Sequence, residues 1–513
     1  VIDNNRKLKT VNRPAGYHEL LSRYGLSVIP NWHISFVAIR GSRQKKINFN
    51  TVEEIFPPKY WPGKTDLEHL EFALKYDGIN LSILKILFSI IDENELIDYI
   101  KSKNTGKYAR SLWFLFEFLT GKILPIDDLA QGNYFDLLNP DKYHTASPYI
   151  KISRQRINNN LLGSKDFCPI IRKTITLNKF EKMDFSARCS SVLSGYSPEL
   201  LKRALGYLYA KETRSSFEIE NIKPSSSRID RFIALLQSAE KRDFCQKESL
   251  IEIQNSIVDP RFQDSDYRNN QNYVGETVAI NKERIHYISP KPEDLLDLMR
   301  GLIYSHEIMK KGNLSPVIHA AAISYGFVYL HPFEDGNGRI HRFLIHNILA
   351  LSGFTPKGFI FPVSAIMLEN PGDYDSSLEA FSNDLLPLIE YSLDENGVLT
   401  VHNETATWYK YLDMTSQAEA LYYFIDETIE KALKDELEFL VSYDNTKKAI
   451  QDIVDMPDWK IDQFINFCLQ NNGRLSRKKY KDFFDFLTGE ELSMMEKATY
   501  KNFLMDPKPI NLS

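Results

Sequence analysis

Residues 331–342, HPFEDGNGRIHR, constrain this chain more than any other stretch. Glycines at 336 and 338 flank Asn337, and RIHRFLIHNILALSG follows with Ile340, Phe343, Leu344 and Ile348 at helical spacing and Gly353 as a stop. The backbone must turn tightly there and pass straight into a helix. Glycine tolerates φ > 0 and admits a ligand to the main chain, and a turn feeding a helix N-terminus gathers N–H groups around an anion. Arg339 and Arg342 fall in the first turn, where positive charge opposes the helix dipole; an anion between them offsets that cost. Asp335 is suited to hold a magnesium ion against the same phosphates, and His331 is an acid–base group beside them. A lone GNG would read as a polar turn. Base, metal ligand, anion turn and paired arginines in one order read as a nucleotide-phosphate site.

The stretch resembles the Fic signature, HPFx(D/E)GNGRxxR, at every specified position. Fic proteins commonly transfer AMP from ATP to a hydroxyl side chain of a target protein. The resemblance implies a mainly α Fic-type helical core with a small β-hairpin flap, and ATP and magnesium at the site. It implies that His331 deprotonates the target hydroxyl and Asp335 binds magnesium. Asn337 and Gly338 would line the anion hole for the α- and β-phosphates, with Gly336 also among the nucleotide-binding residues; Arg339 and Arg342 would hold the outer phosphates, and Phe333 would anchor the loop. The related Doc-type kinases carry lysine at the second glycine of the turn, so Gly338 favours nucleotidyl over phosphoryl transfer. Tyr374 aligns loosely with a family tyrosine near the nucleotide.

Two upstream stretches extend the resemblance. Ser197-Pro198 is a helix start, a capping serine before proline at the first helical position. The predicted helix ends in Ser216-Phe217-Glu218-Ile219-Glu220-Asn221, which resembles the inhibitory pattern (S/T)xxxE(G/N). By that resemblance Ser216, Glu220 and Asn221 form an inhibitory element, with Glu220 reaching Arg342 where a γ-phosphate would sit. A carboxylate and a phosphate compete for one guanidinium. In some family members this glutamate helps remove AMP, and an ordinary helix-terminal acid is the plainer alternative. Further on, β-leaning segments around Tyr273–Val274 and Ile285–Ile288 flank a polar turn, reading as a hairpin. In Fic proteins a flap here holds the target segment as an added strand, which singles out Ile285, His286 and Tyr287. A plain structural hairpin competes with that view.

A chain of 513 residues has room for several cores. The reading divides it into an N-terminal accessory domain (1–175), a Fic catalytic domain with its inhibitory helix (176–392) and a helical C-terminal domain (393–513). In the first, HISFVAI (33–39) is β-like, LEHLEFALKY (67–76) and ARSLWFLFEFL (109–119) are helical, and 142–167 reads as a basic, solvated connector. In the last, 459–487 reads as helix, turn and a basic second helix capped by Ser476, a helix-turn-helix-like layout that makes DNA a possible partner of 445–513. Formal charge is −5, giving no global pull toward nucleic acid or anionic membrane. The longest apolar run, at 81–91, contains a lysine and is too short to span a bilayer, and no signal peptide is visible. Four scattered cysteines suit buried free thiols in a reducing compartment, so the expected location is the cytoplasm. The expected partner is a protein with a Ser, Thr or Tyr hydroxyl, with self-modification and a homo-oligomer as further expectations. Removal of AMP, transfer of UMP or phosphocholine, a DNA-binding regulator with a nucleotide-sensing core, and an interaction scaffold stand as rivals.

Overall fold

Several helices start where short polar residues can take over the unpaired N–H groups of a first turn. Ser197 accepts from the Leu200 N–H ahead of the helix Pro198–Glu218, with Pro198 at its first position. Thr65 and Glu68 form a reciprocal capping box for Asp66–Phe72, and Asn80 and Asp92 cap the next two helices. A computed structural model describes residues 12–48, 51–279 and 282–503, and the fold is mainly helical. The chain packs as two units, Val1–Met183 with Glu220–Phe354 and Asn370–Tyr423, and Asp184–Ile219 with Thr355–Glu369 and Phe424–Ser513.

In the first unit, an N-terminal sheet has the order Arg13–Ala15, His33–Val37, Thr51–Phe56, Gln44–Asn48, with only the middle pair parallel. Strand His33–Val37 alternates inward and outward, sending Val37 to a small core with Ala15, Phe56 and Phe72. The helix Lys107–Thr120 carries Leu112, Trp113, Leu115 and Phe116 into the larger core, as its aromatic spacing predicts. The basic stretch 142–167 differs from its reading as a connector. Ile150–Ile152 and Ile157–Asn159 join Phe135–Asp136 in a three-stranded sheet. Arg154 pairs with Glu117 at 3.1 Å and lies 4.9 Å over the Trp113 ring. Strands of three residues leave little periodicity to read, and distant pairing supplies what local propensity lacks.

The same unit holds the helices Pro292–Lys311, Pro316–Leu330 and Asn337–Leu351. Pro316–Leu330 is buried on nearly every side, and its run Ala320–Ala322 lets the helix Asn337–Leu351 pack close. The expected hairpin forms from Tyr273–Ala279 and Lys282–Ile288.

In the second unit, Pro198–Glu218 packs with Val363–Glu369 and Leu433–Gln451, and buried Glu212 accepts the Ser364 N–H at 2.8 Å. The C-terminal helices Asp458–Leu469, Arg477–Phe483 and Gly489–Phe503 enclose Phe464, Ile465, Phe484 and Met495. Ser476 caps the second helix as its sequence suggests, but that helix has seven residues and its Lys479 lies 4.0 Å over the Phe467 ring. All four cysteines are free and buried. Among the described residues no helix is long and apolar enough to cross a membrane.

Gly301 brings the helix Pro292–Lys311 against the segment leading into the core, since a Cβ there would lie 2.6 Å from the Phe167 nitrogen. Alanine normally improves a helix interior by about 1 kcal/mol over glycine. Here backbone lies in the way, so Gly301→Ala should lower the urea midpoint; a raised midpoint would refute the close approach.

Candidate active site

The helix Pro316–Leu330 ends at His331, which adopts the left-handed conformation (φ 48°) and donates its N–H to the Phe327 carbonyl at 3.0 Å. Its ring Nδ1 lies 3.1 Å from the Val328 carbonyl. A carbonyl only accepts, so Nδ1 carries the proton and Nε2 keeps the lone pair. Burial pushes the pKa of His331 down to about 4; the Val328 carbonyl opposes that shift and the Arg268 guanidinium adds to it. His331 is therefore a neutral base at ordinary pH, with Nε2 as its basic atom.

Arg268 holds this corner and escaped the sequence reading. Its guanidinium donates to the His331 carbonyl (2.8 Å), the Asn270 carbonyl (2.7 Å) and the Pro290 carbonyl (2.7 Å), and its N–H reaches the Pro332 carbonyl at 2.9 Å. Burial lowers its pKa to about 10, leaving it charged. A single arginine in a polar stretch carries no periodicity or motif that would reveal it.

Beyond His331, Phe333 is fully buried near the rings of Tyr267 and Phe327. Asn337 spends both ends of its carboxamide on Phe333, accepting its N–H at 3.0 Å and donating to its carbonyl at 2.7 Å. The Asn337 side chain thus fastens the loop, and what this residue can offer an anion is its backbone. Gly336 has φ 94°, and a Cβ there would press on Val258 at 3.1 Å. The helix Asn337–Leu351 then opens with no capping side chain, leaving its first-turn N–H groups to other partners.

Arg339 and Arg342 are buried, at 0% and 2% exposure of their side chains, and both face Glu220. Arg339 Nε meets Glu220 Oε2 at 2.8 Å, and Arg342 Nη2 meets Oε1 at 2.7 Å. Arg339 also donates to Asp335 Oδ1 at 2.6 Å and to the Ile257 carbonyl at 3.1 Å. Arg342 Nη1 is 3.4 Å from the hydroxyl of buried Tyr374. Glu220 Oε1 lies so close to Gly338 that a Cβ there would sit 2.5 Å away. Two buried cations thus share one carboxylate over a glycine.

The remaining sequence candidates fall as follows. Ser216 is buried in the last turns of Pro198–Glu218, and Asn221, just past that helix, takes φ 56° and is exposed. On the hairpin, Ile285 is half-buried and His286 is exposed, 3.5 Å from Glu276. Tyr287 is buried and donates its hydroxyl to the Tyr329 carbonyl, so it anchors the hairpin's base. Asp335 uses Oδ1 for Arg339 and the Gly336 N–H, while its side chain remains 41% exposed. Among the described residues, metal-ligand spacing appears elsewhere, at Asp243, His306 and Glu307. There Lys310 already neutralises Asp243 at 2.6 Å, and His306 bridges Asp243 (2.8 Å) to His319 (3.0 Å).

Residues 244–349 match the model of the Fic/DOC family. The chain is 36% identical over 99 residues to a protein named Protein adenylyltransferase Fic from Drosophila mojavensis, covering 19% of this chain and 18% of that one. To the protein of the same name from Culex quinquefasciatus it is 34% identical over 119 residues, covering 23% and 22%. The match thus spans about a fifth of these relatives' length. A solved Fic family protein from Desulfovibrio desulfuricans G20 aligns with 65% of this chain and 89% of its own at 17% identity, with a TM-score of 0.36. His331, the GNG turn and both arginines all lie inside the residues that match the Fic/DOC family model.

Proposed function

We propose that this chain is a protein adenylyltransferase, moving AMP from ATP to a Ser, Thr or Tyr hydroxyl of a target protein, and that Glu220 holds it inhibited. One arrangement carries the reading: a neutral histidine with a basic Nε2 stands beside a helix N-terminus and two buried guanidiniums that converge on one anionic group. The names of the relatives agree with it.

In this reading His331 Nε2 takes the proton of the target hydroxyl as its oxygen attacks the α-phosphorus of ATP. Pyrophosphate leaves with the bonding pair, and AMP remains esterified to the target. Arg339, Arg342 and the backbone at Gly338 oppose the charge on the phosphates. The carboxylate of Asp335, 41% exposed and with no hydrogen bond to Oδ2 among the described residues, suits a magnesium ion, which would add positive charge against the phosphates. Segment 176–392 serves as the catalytic domain, and the outer edge of Lys282–Ile288 offers backbone groups to a target segment.

Glu220 inhibits by occupying the guanidiniums that an outer phosphate of ATP needs. Removing one partner of a buried ion pair costs about 3–5 kcal/mol because the other charge is left uncompensated. Without Glu220 the arginines would therefore favour a bound phosphate. Label transfer from α-labelled ATP with magnesium into lysate proteins tests both claims. Label should rise in Glu220→Gly, and His331→Ala in that background should lose about 10²–10⁴-fold, the usual worth of a general base. No label on protein in any variant that still binds ATP would overturn adenylyl transfer and leave removal of AMP as the reading to test.

The pH dependence has a definite sign. A histidine whose pKa is held near 4 is deprotonated through the neutral range and loses base function only as pH falls toward that value. In Glu220→Gly, kcat/KM should therefore show no acid limb near pH 6.5. A limb at that pH would mean that His331 titrates as an ordinary imidazole.

A further inference from the structure

A second cationic concavity lies in the N-terminal part of the chain. Its walls come from the strands His33–Val37, Gln44–Asn48 and Thr51–Phe56, the start of the helix Lys107–Thr120, and segments 137–143 and 172–175. The cavity measures about 570 Å³, within the range of small-ligand sites. Seven cationic side chains line it against two carboxylates, Glu54 and Asp141. Arg43 pairs with Glu54 at 2.6 Å, and Arg172 with Asp413 at 2.8 Å. Lys45, Lys75, Lys107, Lys142 and Lys173 have no ion-pair partner among the described residues, so five lysines line a concavity that holds one further carboxylate, Asp141; the Lys75 and Lys107 ammonium groups lie 5.2 and 5.3 Å over the Tyr76 and Phe135 rings.

Exposed lysines usually spread over a convex surface, where water and salt screen them. Here five from separate segments meet at one hollow, in a chain whose formal charge is −5. A cleft lined by one sign with low-dielectric walls concentrates the opposite charge. The floor is built to be close and apolar. Gly78 (φ 86°) lets Trp32 and Tyr143 meet beneath it, since a Cβ there would lie 2.5 Å from the Tyr143 hydroxyl and 3.2 Å from Trp32. That hydroxyl accepts the Ile79 N–H at 3.0 Å, and Ile79, Leu137 and Leu138 complete the surface. Tyr108, half-buried on the wall, has no stacked ring and no hydrogen-bonded hydroxyl among the described residues.

We infer that this cavity binds a small phosphate-bearing anion, with the lysines meeting the phosphates and the aromatic wall meeting any organic part. The cavity is separate from the His331 site in residues, and the inference does not depend on the adenylyltransferase reading. The limited volume, about 570 Å³, favours a small molecule over a nucleic-acid strand, which needs a long track of contacts.

Calorimetric titration of inorganic pyrophosphate into the full chain tests it, with Lys142→Glu/Lys173→Glu and Arg342→Ala beside the wild type. Because both altered lysines are exposed, the double variant should fold, which circular dichroism checks. Wild type should bind, the lysine variant should bind about tenfold more weakly or worse, as expected for lost charge-assisted contacts, and Arg342→Ala should keep the lysine-dependent binding. A repeat with ATP or ADP in the Arg342→Ala chain separates free phosphates from nucleotides: tighter binding than pyrophosphate assigns the aromatic wall to a base. Pyrophosphate binding that survives the lysine changes and vanishes in Arg342→Ala would place it at the Fic motif and overturn the inference. So would no binding at all, or a lysine-dependent affinity for duplex or single-stranded oligonucleotide without any for pyrophosphate.

Discussion

The site depends on the cost of burying two guanidiniums side by side. Arg339 and Arg342 lie on one helix three residues apart, both out of water, and Arg339 in the first turn, where the helix dipole is already positive. Such a pair persists only if an anion faces it. In this structure the anion is Glu220, with one oxygen for each arginine. A phosphate fits the same demand. In the proposed function, the feature that would make the pocket a phosphate receptor is the one that lets a carboxylate close it, and Gly338 permits either by offering no Cβ to the approaching oxygen.

The second constraint concerns a proton. A base must have its lone pair on a known nitrogen, and the Val328 carbonyl fixes that choice by taking the Nδ1 proton. The arrangement would drift if the backbone at 331 were free to turn, because the left-handed conformation is unfavourable for a residue with a Cβ. Arg268 opposes that drift by binding the carbonyls of His331, Asn270 and Pro290 at once. It also adds positive charge close to the imidazole, a smaller effect in the same direction as the burial that chiefly keeps the ring neutral.

The sequence made some of this legible and hid the rest for physical reasons. The turn and helix at 336–351 could be read because glycine, asparagine and a 3.6-residue apolar period are local signals. So could the hairpin at 273–288 and the caps at Ser197 and Ser476. The motif places Asn337 at the anion hole, while its carboxamide is committed to Phe333; a motif records which residue is needed without saying which of its groups is used. Tyr287 similarly carries a polar tip that suggests a surface role while its ring packs inside. Arg268 depends on partners as far along the chain as Pro290 and His331, and the strands at 150–159 are too short, at three residues each, for spacing or propensity to reveal.

Charge makes the same argument at a larger scale. A net charge of −5 excludes a generally basic surface, but it says nothing about where the 63 lysines and arginines collect. Near His331 the cations are buried and matched one against another by Glu220 and Asp335, so their effect is local and steep. In the N-terminal cavity they are exposed lysines on flexible stems, which attract at longer range and are more easily screened. Arginine forks suit one fixed anion geometry; lysines suit anions of varied shape. The residue choice at each place therefore agrees with the two proposals, a site that would orient a phosphate at His331 and one that would only gather a phosphate in the N-terminal cavity.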